Sequence, residues 1–409
     1  MDFDFKTHLS KLLSVPPSQI TIQVLTGGLI NAAVRASFTP PVDLTRFGHP
    51  HWQSVPSVVL KYAPPYIANT PSVPLSTIRQ DIEARALVLL DPNSESPLPA
   101  SSLFTKYPNV KIPRLIHHDY EEHVLIMTDL GSSVVTIDDW LTQEPPPLPE
   151  DIERIATDLG RFLGEFVIAT SNPSAELLSV LQLPSNSALL RQFDGYAEDN
   201  LKDVLQDVPD VDVLTKIVED AARDFRKRDS CLGMVDLWRK NIVVDSDKNV
   251  CLLDWEVFGW SNASCEMSLL GAFIYISFDI DTFIIFSRTV ESLHWILLKS
   301  STTDAAKNRT RKFISTMLQN YGQGRADIPS PHFRRQALIF YGREIISLLK
   351  WNADEFDDRM KEKALELGLA YLRAAGTSVD TMDVSIFDSE IVSPYERLFE
   401  KARAMLAAR

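Results

Sequence analysis

Hydrophobic and polar positions change rhythm along this chain. The first third carries short valine-, isoleucine- and leucine-rich runs at 21–25, 33–38 and 57–62, each bounded by glycine or proline, which predicts β-strands. A helix is predicted over 76–90, with Ile78, Ile82, Ala86 and Leu89 on one face. Further strands are expected at 111–116 and 123–127, flanking the turn-like Asp119 to Glu122. The polar, proline-bearing stretches 40–56 and 92–108 read as surface insertions. After Gly131 the period becomes helical. Ile152, Ile155, Leu159, Phe162 and Phe166 give one buried face, and two more helices are predicted at 333–351 and 357–375. Gly376 is expected to close the last of these, and 394–409 within the tail can form an amphipathic helix. The pattern predicts an α+β chain: an N-terminal β-rich lobe with one helix over 1–127, a connection at 128–131 opening a larger helical lobe to 376, and a tail over 377–409.

Composition narrows the class. At 409 residues and 46.0 kDa, with 45% apolar and 23% charged residues, the chain has the balance of a folded protein of two packed units. Its 41 basic and 55 acidic residues leave a net charge of −14, which disfavours nucleic acid and anionic membrane surfaces as partners. Cys231, Cys251 and Cys265 are an odd set without ligand spacing, which fits a reducing compartment. The acidic first residues lack the basic-then-apolar pattern of a secretion signal, so a cytoplasmic location is expected. The greasiest stretch, 269–286, is interrupted by Asp279 and Asp281 and reads as a buried helix pair rather than a membrane span. Oligomeric state is left open.

The strongest local chemistry lies in Gly233-Met-Val-Asp236-Leu-Trp-Arg-Lys-Asn241, which runs into an apolar strand. A carboxylate can orient a hydroxyl and accept its proton, while an asparagine oxygen can ligate magnesium. A second apolar strand ends at Asp254-Trp-Glu256, so a hairpin would bring Asn241 and Asp254 together as a clamp of hard oxygen donors. Upstream, Lys61 ends a strand, and Glu83 on the following helix can reach it; Arg79 and Arg85 are the local alternatives as partners for Glu83. Gly27 and Gly28 lie between strands, where backbone N–H groups can approach an anion. Trp238, Trp255 and Trp260 suit either core or pocket wall. His117 and His118 read as exposed loop residues, and Trp351 with the acidic run 354–358 is either a solvated turn or an amine-attracting rim.

The order of these features, glycine loop, lysine strand, acidic helix, connection, Asp-x4-Asn loop and Asp-Trp-Glu, is that of protein kinases. Its details resemble the aminoglycoside phosphotransferase and choline kinase superfamily, and within it the methylthioribose-kinase-like enzymes of fungi. The resembling stretches include Leu25-Thr-Gly-Gly-Leu-Ile-Asn31, Val59-Leu-Lys61, Leu125-Ile-Met-Thr-Asp129 and Met234-Val-Asp-Leu-Trp238, and the likeness spans about residues 5–376. It implies a protein-kinase-like two-lobe fold and an ATP- and Mg2+-dependent kinase acting on a small-molecule hydroxyl. By position, Lys61 would hold the α- and β-phosphates with Glu83 fixing it, and Asp236 would be the base. Asn241, Asp254 and Glu256 would serve the metal. Gly27, Gly28, Asn31 and the backbone around Met127 and Asp129 would meet the nucleotide. Two departures stand out. Met234-Val235 replaces the superfamily's His-Gly before the aspartate, and Ser261, Asn262 and Glu266 stand where relatives often have Gly-Pro and Asp. They are the basis of an alternative expectation, a nucleotide-binding pseudokinase acting as a scaffold or regulator.

Overall fold

The computed structural model describes residues 3–26, 28, 30–94, 96–225, 231–261, 296, 302–323, 339, 342–347, 349–350 and 357–376. Its N-terminal part is built on a five-stranded antiparallel sheet. The strand order is Ile20–Leu25, Ala32–Val42, Val55–Tyr62, Val124–Thr128 and Leu115–Asp119. Side chains alternate between the two faces of each strand. Val58 and Leu60 therefore join Val34, Ala36, Val124 and Ile126 in a core closed by Phe5 and Leu9 of the Phe5–Leu13 helix. Val59, Leu125 and Met127 point the other way, into the core shared with the Ile78–Leu90 helix. Lys61 has the same parity as Val59. The strand thus aims its ammonium at that helix.

The expected strand at 111–116 is instead divided at Pro113. Val110–Lys111 pairs in parallel with Val250–Leu252, whereas Leu115–Asp119 belongs to the large sheet. Proline lacks the N–H a continuous ladder would need, so the chain changes sheets there. The 92–108 stretch is more than a surface insertion. It forms the short helical segments Pro99–Ser102 and Leu103–Lys106, which bury Ala100, Leu103 and Phe104. The 40–56 stretch likewise buries Leu44 and Trp52.

After the connection at 128–131 the chain is mainly helical, with segments Ile137–Thr142, Pro149–Thr170, Ala175–Leu181, Ser187–Leu205 and Val211–Phe225. The Pro149–Thr170 helix packs along Asp304–Gln323. Gly160 and Gly164 permit the close approach: a Cβ on them would lie 2.2 Å from the Met317 carbonyl oxygen and 2.7 Å from that of Tyr321. The last described helix is Asp358–Gly376, so Gly376 ends the helix rather than following it. Of the predicted 333–351 helix, residues 339, 342–347 and 349–350 are helical and the others lie outside the described residues. The 269–286 stretch and the tail 377–409 lie outside them too. Among the described residues, no helix is long and apolar enough to cross a membrane. The architecture is α+β, an antiparallel sheet lobe followed by a helical one.

Candidate active site

Lys61 lies at the centre of the site. Its Nζ donates to Glu83 Oε2 at 2.6 Å and to Asp254 Oδ1, and lies 3.5 Å from Glu256 Oε2. Burial alone would strip the proton from this ammonium, but Asp254, Glu83 and Glu256 outweigh it and raise the pKa well above the usual lysine range. Neither local alternative takes Glu83. Arg79 donates to Asn31 and to backbone carbonyls, and Arg85 donates to the Leu181 carbonyl at 2.7 Å. Burial raises the carboxyl of Glu83 despite the opposing charge of Lys61. Glu256 is pushed up to about 7, first by burial and then by the charge of Asp254. Oxygens of Glu83, Asp254 and Glu256 lie within 4.8 Å of one another.

The aspartate–asparagine loop is fixed by backbone geometry. Strand Cys231–Gly233 ends at Met234, and the Asp236 N–H donates to the Met234 carbonyl at 2.8 Å, closing a three-residue turn around Val235. Val235 has φ of 62°, a left-handed conformation rare for a β-branched residue. The turn is closed on the far side by Asn241, whose Nδ2 donates to the Asp236 carbonyl at 2.8 Å. Strands Ile242–Val244 and Val250–Leu252 then form the expected hairpin, and the Leu253 N–H donates to the Asn241 carbonyl at 2.8 Å. Asn241 and Asp254 therefore stand at the same end of it, with Asp254 also left-handed at φ of 67°.

These groups line one cavity of about 620 Å3 between sheet and helices. Gly28, Asn31, Lys61, Glu83, Met127 and Asp129 line its sheet side. Asp236, Asn241 and Asp254 line its floor. Phe193, Trp238, Glu344 and Ser347 extend it toward the helices. Gly27 lies outside the described residues. Glu256 sits behind the wall, about 1% exposed.

Comparison with known proteins shows what the chain carrying this cavity is similar to. Residues 100–288 match the model of the phosphotransferase enzyme family, a span that includes the Asp236, Asn241 and Asp254 elements. The 4-hydroxytryptamine kinase of Psilocybe cyanescens is 25% identical over 280 residues, 65% of this chain and 72% of the relative. That of Psilocybe cubensis is 25% identical over 283 residues, with the same coverage. Over these spans the chain is similar to phosphotransferases. Its likeness is to the aminoglycoside phosphotransferase superfamily and, within it, to these fungal kinases. Solved relatives include an ADP-bound aminoglycoside phosphotransferase, 12% identical with a TM-score of 0.42, covering 92% of this chain and 100% of that one. Another is an aminoglycoside phosphotransferase complex with GDP and kanamycin, 13% identical with a TM-score of 0.44, covering 90% and 97%.

The structure also brings to the site residues that the sequence does not announce. Arg35 Nε and Nη2 donate to Asp129 Oδ2 and Oδ1 at 2.7 and 3.0 Å, and Ser57 Oγ adds a third donor at 2.7 Å. Burial opposes ionisation of Asp129, but these donors hold its carboxyl below the usual range. The side chain of Asp129 thus clamps the connection to the sheet and leaves its backbone at the cavity edge. The signal was weak: an arginine inside a strand, with a partner far along the chain. Lys240 joins Arg239 on the buried Asp138, at 3.0 and 3.1 Å. Trp255 is core, donating to the Leu252 carbonyl at 3.1 Å, whereas Trp238 is half-buried at the cavity and Trp260 packs partly buried on the core. The expectation of exposed loop histidines is corrected. His117 and His118 lie within strand Leu115–Asp119, where alternation buries His118 and half-buries His117. Cys231 and Cys251 are buried cysteines outside any disulfide among the described residues, and burial pushes Cys251 up to about 12. Trp351, residues 354–356, Asn262 and Glu266 lie outside the described residues.

Proposed function

We propose that the protein is an ATP- and Mg2+-dependent O-phosphotransferase acting on a hydroxyl of a small, amine-bearing metabolite. The observation that carries this reading is the Lys61–Glu83–Asp254 ion-pair set opening into the same cavity as Asp236 and Asn241. Lys61, fixed by Glu83, neutralises the α- and β-phosphates, while Asp236 orients the acceptor hydroxyl and takes its proton. Gly27 and Gly28 would meet the phosphates through backbone N–H groups, and the backbone around Met127 and Asp129 would meet the base. Asn31, which also lines the cavity, accepts from Arg79 and donates to Glu256.

The donor set suits magnesium. Asn241 commits Nδ2 to the Asp236 carbonyl, so its Oδ1 is the ligand atom beside Asp254. Glu256 Oε1 is buried and unpartnered among the described residues. The cationic side chains that line the cavity, Arg35, Lys61 and Lys240, are each already paired with carboxylates. A triphosphate therefore needs a further positive charge, and a bound Mg2+ supplies it by neutralising phosphate oxygens. The residues present would hold it through Asn241, Asp254 and Glu256.

An amine-bearing acceptor is supported by the lining of the cavity, where Glu344, ion-paired with Arg343, offers a carboxylate and Trp238 and Phe193 offer aromatic faces. The two Psilocybe relatives, named for an amine-bearing hydroxyl compound, lend weight to an acceptor from fungal secondary metabolism. A cytoplasmic enzyme with lobes divided near residue 127 completes the reading. Asp236→Asn tests it. Transfer should fall about 100- to 10,000-fold, with nucleotide binding retained by calorimetry. Full activity in that variant removes Asp236 as the base and sinks the proposal.

A further inference from the structure

Glu256 is held by a chain of contacts that runs to the end of the glycine loop. Arg79, fully buried on the Ile78–Leu90 helix, spends Nη1 on the Ser76 carbonyl at 2.6 Å and the Leu75 carbonyl at 3.3 Å, and Nη2 on the Pro64 carbonyl at 2.6 Å. Its guanidinium is thereby fixed by backbone on three sides. The remaining Nε–H donates to Asn31 Oδ1 at 2.9 Å. That bond decides which way the Asn31 amide faces, because a guanidinium can only donate and so must meet the amide oxygen. Asn31 Nδ2 is left facing Glu256, and it donates to Oε2. Arg79 Nε itself lies 3.9 Å from the same oxygen. With Oε2 engaged, Oε1 of Glu256 has no partner among the described residues, in a residue about 1% exposed.

The geometry points to Arg79 and Asn31 as a positioning relay: Arg79 orients the Asn31 amide, which holds Glu256 Oε2 and presents Oε1 to the metal, coupling the strand end behind the glycine loop to the metal carboxylates. The inference rests on the metal role of Glu256 proposed above. Its logic is that of outer partners generally, whose removal weakens metal binding by about 10- to 100-fold while the ligands themselves stay in place. Asn31 is the point of coupling because it follows Gly28 at the start of strand Ala32–Val42 and touches the residue two beyond Asp254.

The test is calorimetric titration of Mg2+ into the full-length protein saturated with a non-hydrolysable ATP analogue, alongside titration of the analogue without metal. The variants are Asn31→Ala, Arg79→Lys and Glu256→Gln. Arg79→Lys keeps the charge but loses the fixed fork. The relay predicts that Asn31→Ala and Arg79→Lys each weaken Mg2+ binding about 10- to 100-fold, with metal-free analogue binding changed less than about twofold in Arg79→Lys and far less than the Mg2+ affinity in Asn31→Ala. A purely structural role would weaken both titrations together, and that result overturns the relay. Unchanged Mg2+ affinity in Asn31→Ala and Arg79→Lys, with loss in Glu256→Gln, also overturns it while the metal assignment stands. Unchanged affinity in Glu256→Gln removes the metal role of Glu256 itself and the relay with it. Should Arg79→Lys fail to fold, Asn31→Ala decides the question alone.

Discussion

Val235 keeps a side chain where the backbone favours none. Its left-handed conformation, next to Asp236, costs about 1–3 kcal/mol for a β-branched residue. The same side chain is buried against Leu190, Val257 and Phe193, which contributes about 1.5–3 kcal/mol. The two effects nearly cancel, which explains how valine is tolerated where the superfamily carries glycine. They also invert the usual order of small substitutions. Val235→Ala discards most of the packing, keeps the strained backbone and loses about 1–2 kcal/mol. Val235→Gly discards the packing and the strain together. In denaturant unfolding the glycine variant should be more stable than the alanine variant, although glycine ordinarily ranks below alanine. An alanine variant the more stable of the two contradicts this account of the turn.

At the scale of elements, two contacts hold the working parts in place. The first is the glycine-mediated approach of Pro149–Thr170 to Asp304–Gln323 beneath the site. Gly160→Ala would gain about 1 kcal/mol from helix propensity on an exposed face. Here its Cβ meets a backbone carbonyl at 2.2 Å, so overpacking should win and the variant should lose about 1–3 kcal/mol. Thermal or denaturant unfolding reads the sign directly, and a stabilised variant refutes the close packing.

The second is the Arg35–Asp129 clamp. Its carboxyl is held below the unfolded value of 3.8 by hydrogen bonds that outweigh burial. A depressed folded pKa contributes stability that is complete above the unfolded value and is lost as pH falls through the folded one. Asp129→Asn should therefore be less stable than the wild type at neutral pH, and the gap should close below the folded value. Denaturant unfolding at both pH values checks it; a gap that does not narrow in acid assigns the effect to something other than this carboxylate.

Across the whole molecule, the features legible in the sequence are those set by local periodicity. Strand alternation and helix face together foretold the Lys61–Glu83 pair, and two apolar strands, one opened by Asn241 and the other closed by Asp254, foretold the hairpin. What was not legible joins residues far apart in sequence. Nothing local to Arg35 announces Asp129, and nothing near Asn31 announces Glu256, 225 residues away. Proline patterns also misled. Pro113 divides a run that read as one strand, and the proline-bearing 92–108 stretch folds into core-forming helical turns rather than a surface loop. The net charge of −14 acquires a meaning it lacked as a sum. Among the described residues, the cations that line the cavity are each paired with a carboxylate, so under the proposed function a bound triphosphate would draw further positive charge from a metal.

The most direct measurement is turnover of the wild-type protein with ATP against a panel of small hydroxylated amines and alcohols, read by mass spectrometry. The account predicts an acceptor that gains the mass of one phosphoryl group, with formation abolished by chelating the metal and reduced to near background by Asp236→Asn. ATP binding with no phosphorylated acceptor anywhere in the panel, or transfer that persists without divalent metal or without the Asp236 carboxylate, would contradict it.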